Sequence, residues 1–206
     1  MAIIREDPIP PECIQLIPAK REEEPILANL LELYAHDFTE FLPIDLRSNG
    51  RFEYQDLSRY WRDPDHHPFL IKAAGKLGGL VLIRRDESVA RAEPLWDLGE
   101  FFVVRRYRRQ GVGTAMAHEV WRRFPGWWQV RVMEANLPGQ HFWQRAITQF
   151  TGDAVESARL MPADRGVFFR EPLKFDRFGG AIAPHRPSGV GLRPGEAGQG
   201  GKCVSN

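Results

Sequence analysis

The segment Arg108-Arg109-Gln110-Gly111-Val112-Gly113-Thr114 constrains this chain more than any other. It lies between an apolar run, Phe101 to Val104, and a run with helical spacing, Thr114 to Phe124. A strand that feeds a glycine loop, which then opens a helix, is a phosphate-binding arrangement. It gathers unpaired first-turn N–H groups and the positive end of a helix dipole at one point. Glycines there let the backbone approach an anion closely. Other phosphate loops do not fit these residues. A Walker-type loop ends in Gly-Lys-Ser/Thr, and Gly113 is followed by Thr114 with no lysine. A dinucleotide fingerprint needs a third glycine where Met116 stands.

The rest of the chain supports one globular domain. It has 206 residues, 43% hydrophobic and 27% charged, enough for a sizeable core. A net charge of +1 supplies no global field toward nucleic acid or membrane. No run approaches the roughly 18 apolar residues of a membrane span. Cys13 and Cys203 lie near opposite ends, which argues for reduced thiols, against a disulfide framework and against a metal site. The stretch Met1 to Pro11 lacks the apolar centre of a signal peptide. A cytoplasmic location is expected.

The predicted elements follow from spacing. Cys13 to Ile17 reads as a short strand. Pro25 opens a helix whose Leu27, Leu30, Leu31, Tyr34 and Phe38 share a face. Leu42 to Gln55 is a loop, and Leu57 to Arg62 a short helix. Phe69 to Ala74 and Leu77 to Arg84 form a hairpin around Gly75-Lys76. Asp86 to Pro94 is a polar turn, and Asp97 to Val104 is the strand that enters the glycine loop. After the loop, Ala117, Val120, Trp121 and Phe124 mark the buried helix face. Trp128, Val130 and Val132 alternate with Trp127, Gln129 and Arg131 as a half-buried strand. Pro138 opens a helix with Trp143, Ala146, Ile147 and Phe150 on one face. Strands near Ala154 to Leu160 and Val167 to Arg170 complete the sheet. Gly179 to Asn206 is rich in glycine and poor in large apolar residues, so it cannot offset its ordering cost. The expected organisation is a flexible N-terminus over 1–11, a folded domain over 12–173 and a disordered tail over 177–206.

The pattern Arg-x-x-Gly-x-Gly at the mouth of a helix resembles the signature of the GNAT superfamily of N-acetyltransferases. Glu100-Phe101-Phe102-Val103, then Tyr107-Arg108, then Gly111-Val112-Gly113 look like its diamine acetyltransferase branch. Members commonly place an Asn after the next strand and then Phe-Tyr on a helix. Asn136 and Phe142-Trp143 are similar to that arrangement.

This resemblance implies an α/β fold, a mixed and mostly antiparallel sheet flanked by helices, with acetyl-CoA as cosubstrate and no metal. The pyrophosphate would rest on backbone N–H groups of Arg109, Gln110, Gly111, Val112, Gly113 and Thr114, with Arg108 adding charge. The pantetheine arm would enter a gap between the fourth and fifth strands. There it would pair with Phe102, Val103 and Val104, with Asn136 and Trp143 on the other side. The basic cluster Arg105, Arg106, Arg108 and Arg109 reads as a rim that attracts this polyanion. No nucleic-acid or membrane partner is expected. The sequence is silent on oligomeric state, and a homodimer is compatible with it.

Acetyl transfer to an amine needs a base, an oxyanion donor and a proton for the thiolate. Glu100 is the leading candidate base and Asp97 the second. They differ by three residues, so a regular strand turns them to opposite faces, and only a bulge brings both to one cleft. A backbone N–H near Val103 is the expected oxyanion donor. Trp143 stands where the family often has a Tyr acid, and an indole cannot release a proton near neutral pH. For the acceptor, Tyr34, His36, Asp37 and Glu40 lie where the family lines its cleft. The alternative to an amine acetyltransferase is a catalytically idle acyl-CoA sensor or interaction module of the same fold.

Overall fold

The computed structural model describes residues 8–52, 56–86, 94–152, 158–160 and 168–174. The polar turn of 86–94, most of the N-terminal stretch of 1–11 and the whole tail of 177–206 therefore lie largely or wholly outside the described residues. The elements are β1 (Ile14–Pro18), α1 (Glu24–Phe38), α2 (Arg59–Arg62), β2 (His66–Ala73), β3 (Lys76–Arg85), β4 (Leu95–Val103), α3 (Val112–Arg123), β5 (Trp127–Met133), α4 (Leu137–Thr151), β6 (Ala158–Leu160) and β7 (Phe168–Lys174). Their order is the predicted one.

They build a seven-stranded sheet in the order β1-β2-β3-β4-β5-β7-β6. All neighbours are antiparallel except β4 and β5. The parallel pair follows from the connection: α3 carries the chain over one face, so β5 re-enters in the direction of β4. α1 and α2 cover one face, with Leu27, Leu30, Leu31 and Tyr60 on Leu70, Leu80, Leu82 and Phe102. α3 and α4 cover the other, with Val112, Met116, Val120, Trp121 and Ile147 over Ile71, Val81, Ile83 and Trp128. Helices on both faces explain why Leu80 to Ile83 are all fully buried, a continuous apolar run instead of an alternating one.

One expectation is corrected. Gln129 is buried, although alternation along β5 placed it with the solvent-facing residues. Its amide is taken up by a carboxylate described below. Cys203, and with it the expectation for the cysteine pair, lies outside the described residues. Among the described residues, no helix is long and apolar enough to cross a membrane.

Candidate active site

β4 and β5 pair only from Leu95↔Trp127 to Leu98↔Val130. β4 continues to Val103 and β5 to Met133, so the strands part and leave a gap edged by backbone polar groups. The β3 register decides which groups face the gap. The Val104 N–H donates to the Gly78 carbonyl, and alternation along the antiparallel ladder turns Phe102 to β3 as well. A Cβ on Gly79 would lie 2.0 Å from the Phe102 carbonyl oxygen, which places that oxygen against β3. Phe101 and Val103 therefore present their backbone to the gap. Of the three residues expected there, Phe102 and Val104 are turned away and Val103 is not. The Val103 carbonyl already accepts from Arg108 Nε at 2.7 Å.

A bulge sits where the strands part. Leu82 pairs with Glu100 and Ile83 with Leu98, so Gly99 is an extra residue and the side-chain alternation shifts by one. Asp97 and Glu100 consequently share the face covered by α1 and α2. They differ sharply in surroundings. Asp97 is buried, and its carboxylate accepts from Arg84 Nε at 2.7 Å, Gln129 Nε2 at 3.2 Å and Arg131 Nε and Nη2 at 3.2 and 2.7 Å. Both oxygens are committed, which disfavours Asp97 as a base. Glu100 is half-buried.

Tyr60 of α2 completes this cluster and was missed in the sequence. A Cβ on Gly99 would lie 3.4 Å from its hydroxyl oxygen. Burial first, and the Glu100 charge next, push the phenol up to about 12, with Asp97 adding and Arg84 and Arg131 opposing. Tyr60 is thus a neutral hydroxyl throughout the physiological range. Its short, charged helix, Arg59–Arg62, gives no chemical signal in the sequence. Only the bulge brings it to the carboxylates.

The glycine loop enters α3 through two left-handed residues, Arg109 at φ +63° and Gly111 at φ +83°. Gly111 is the N-cap and supplies no side-chain cap, so the N–H groups of Val112, Gly113 and Thr114 have no intrahelical partner. The two glycines do different things. A Cβ on Gly111 would meet nothing within 4 Å, whereas one on Gly113 would lie 3.0 Å from Phe142 Cε2. Gly113 makes room for α4, and Gly111 leaves open the space before the helix. At α4 the arrangement is reversed, since Asn136 Oδ1 accepts from the Gly139 N–H at 2.9 Å. Asn136, expected to hold the cosubstrate, is engaged as a helix cap. Gln110 folds back, its Nε2 donating to the Arg106 carbonyl at 2.7 Å.

Asp37, read as an acceptor ligand, instead ties α1 to the arginine cluster. Arg105 Nη2 lies 2.7 Å from Asp37 Oδ1, and Arg108 Nη2 donates to Oδ2. Burial pushes its carboxyl up, but the bonds from Arg108 and Arg105 outweigh it and hold Asp37 below the ordinary value of 3.8. A depressed folded value gives stability present above 3.8 and lost as pH falls through the folded value. The melting-temperature gap between wild type and Asp37→Asn should therefore narrow from about pH 6 toward about pH 3. A gap constant over that range would show that the clamp adds no stability. Tyr34 stacks edge-on against Phe38 at 4.5 Å and lies 5.7 Å from Phe102. His36 lies 6.4 Å from Phe52. Trp143 packs edge-on against Phe101 at 4.9 Å and Phe142 at 4.7 Å, on the α3 and α4 side of the gap.

The arrangement is a parted parallel strand pair, a bulge with a carboxylate, and an uncapped helix N-terminus. A family model described as the acetyltransferase (GNAT) family matches residues 27–147. The chain belongs to this family. The match contains β2 to β5, the glycine loop and most of α1 and α4. Solved GNAT structures share the fold at low identity. An acetyltransferase from Thermus thermophilus superimposes with a TM-score of 0.56 at 14% identity, covering 78% of this chain and 97% of its own. A spermidine N-acetyltransferase from Vibrio cholerae, in complex with CoA and spermine, gives 0.52 at 11%, covering 79% and 95%. Arabidopsis thaliana Naa50, in complex with the bisubstrate analogue CoA-Ac-MVNAL, gives 0.50 at 14%, covering 79% and 99%. No curated protein matches the chain.

Proposed function

We propose that this GNAT protein is an N-acetyltransferase that moves an acetyl group from acetyl-CoA to a primary amine of a small molecule or peptide. One observation carries the reading: Glu100 lies at the bulge where β4 leaves β5, three residues before Val103, whose N–H is turned into the gap. Structural neighbours bound to CoA with spermine, or to a CoA-peptide analogue, support amines as acceptors.

The residues present fit acetyl-CoA. The uncapped start of α3, with free space before Gly111 and four arginines over 105–109, suits a pyrophosphate. The parted strands suit an extended arm that needs backbone partners, with Phe101 and Val103 on the β4 side. The cosubstrate supplies an activated thioester. Glu100 takes one proton from the ammonium, so the nitrogen lone pair is available to form the C–N bond as the C–S bond breaks, and the CoA thiolate leaves as the thiol with the second proton that the nitrogen sheds, carried by water. The Val103 N–H would donate to the acyl oxygen. Asp97 is read here as a positioning residue, held by Arg84, Gln129 and Arg131. The domain of this activity spans residues 12–173.

Calorimetric titration with acetyl-CoA tests the site. Wild type should bind at micromolar affinity, and Gly111→Glu should weaken binding at least about a hundredfold by filling the phosphate space with like charge. Any L residue at φ +83° costs about 1–2 kcal/mol, so Gly111→Ala controls for strain and should retain most affinity. No binding by a folded wild type would overturn the reading. The packing of Trp143 at the usual tyrosine position favours a second reading, an idle acyl-CoA sensor. Binding without thiol release on any amine would select it.

A further inference from the structure

The cavity beside Asp97 extends the acetyltransferase reading and rests on it. Its volume is about 290 Å³, and its lining includes Arg84 from β3 and Gln129 and Arg131 from β5, a floor on the sheet side made of the three side chains that donate to Asp97. Asp97 is one carboxylate, 1% exposed, facing two guanidinium groups on side chains that are 41% and 38% exposed. With Asp97 between them the two guanidinium groups keep one net positive charge, and the Glu100 carboxylate stands further along β4 on the same face. The hydrogen bonds agree. Arg84 spends Nε and Nη2 on Asp97, and Arg131 spends the same two atoms. A guanidinium also donates through Nη1, and neither Nη1 is used on Asp97.

The rim acids have neighbours of their own. Asp63 lies 3.2 Å from His66 Nδ1, and Asp65 lies 3.8 Å from Arg85 Nη1. Asp86 and Arg59 add one charge of each sign. The two guanidinium groups therefore lie on the sheet side of the cavity, on β3 and β5, while Asp63 and Asp65 lie on the segment between α2 and β2.

We propose that this floor seats a carboxylate of the acceptor, so that the amine substrate is an amino acid. The N–H fork of a guanidinium matches the planar, two-oxygen geometry of a carboxylate. The register fixes the spacing. Asp97 stands opposite Arg84 and Glu100 opposite Leu82, two residues along β3, which is about 7 Å. That spacing is between strand positions, so an acceptor with its carboxylate on Arg84 and Arg131 needs an amine on the order of 7 Å away to reach toward Glu100, which stands on β4 beyond the cavity lining. ω-Amino acids and the side-chain amine of lysine have that span. A polyamine would meet a like charge at the floor.

The test pairs each acceptor with its decarboxylated analogue: 5-aminopentanoate with butylamine, and lysine with 1,5-diaminopentane. Release of CoA thiol should favour the carboxylate member in kcat/KM by about ten- to a hundredfold, mostly through KM. In Arg131→Gln the ratio should fall toward one. Arg131→Lys keeps a charge beside Asp97 but loses the fork, and replaces Arg131→Gln if that variant does not fold. It should lower the ratio several-fold. Equal rates within each pair, or preference for the diamine, would overturn the inference and leave acetyl transfer standing. A calorimetric titration with glutarate, which has no amine, separates the two readings. If no amine releases thiol, acetyl transfer fails, and glutarate alone decides. Binding that weakens in Arg131→Lys supports the carboxylate site, and absent binding overturns it.

Discussion

Glu100→Gln should lower kcat for amine acetylation at neutral pH by about a hundred- to ten-thousandfold, the usual contribution of a positioned base. The substitution keeps the shape and one hydrogen-bond acceptor, so affinity for acetyl-CoA should stay within about twofold. The melting temperature should hardly move, because Glu100 is half-buried. Its pH dependence distinguishes a base from a structural carboxylate. Near pH ~10, close to the ~10.4 of a lysine amine, a sizeable fraction of a primary amine is neutral without help, so the gap between variant and wild type should narrow there. A kcat unchanged at neutral pH would remove Glu100 from the mechanism. A deficit that persists undiminished at high pH would point to misplacement of the acceptor instead of lost proton transfer.

Asp97→Ala should destabilise the fold by about 2–4 kcal/mol in urea unfolding. Removing one partner from a buried ion pair typically costs about 3–5 kcal/mol. The lower range applies here because Arg84 and Arg131 are partly exposed and water can recover some of their solvation. The variant leaves two guanidinium groups facing each other at the point where β3, β4 and β5 meet. Replacing Arg131 by Met in the Asp97→Ala background should recover part of the loss, since the repulsion goes with the charge. A cost below about 1 kcal/mol for Asp97→Ala would mean the network adds little to stability. In that case its two arginines would be kept for something other than holding the strands.

Much of the architecture is local and therefore legible. Leu27, Leu30 and Leu31 repeat at helical spacing, and all three are buried under α1. Leu80 to Ile83 is an apolar run too long and too uniform for a strand with one wet face, and helices cover both sides. The entry to α3 was readable because Gly111 at φ +83° needs a residue without a Cβ, and the pattern around it matches a family signature. Local signals could not assign Gly113, whose Cβ space is filled by Phe142 from α4. They could not assign Asn136, which caps α4, or Asp37, which pairs with arginines nearly seventy residues away.

The element order, the two apolar helix faces and the glycine loop that opens α3 follow from the chain locally, because each depends on neighbours within a few residues. Tertiary structure alone decided the chemistry at β4. One extra residue, Gly99, shifts the alternation of the strand, so Asp97 and Glu100 share a face that regular spacing would have split. Pairing then separates their roles. Asp97 meets Arg84 from β3 and Gln129 and Arg131 from β5, while Glu100 lies beyond the last β4–β5 pair. A bulge and a point of strand parting are properties of register between distant segments, and no window along one strand contains them.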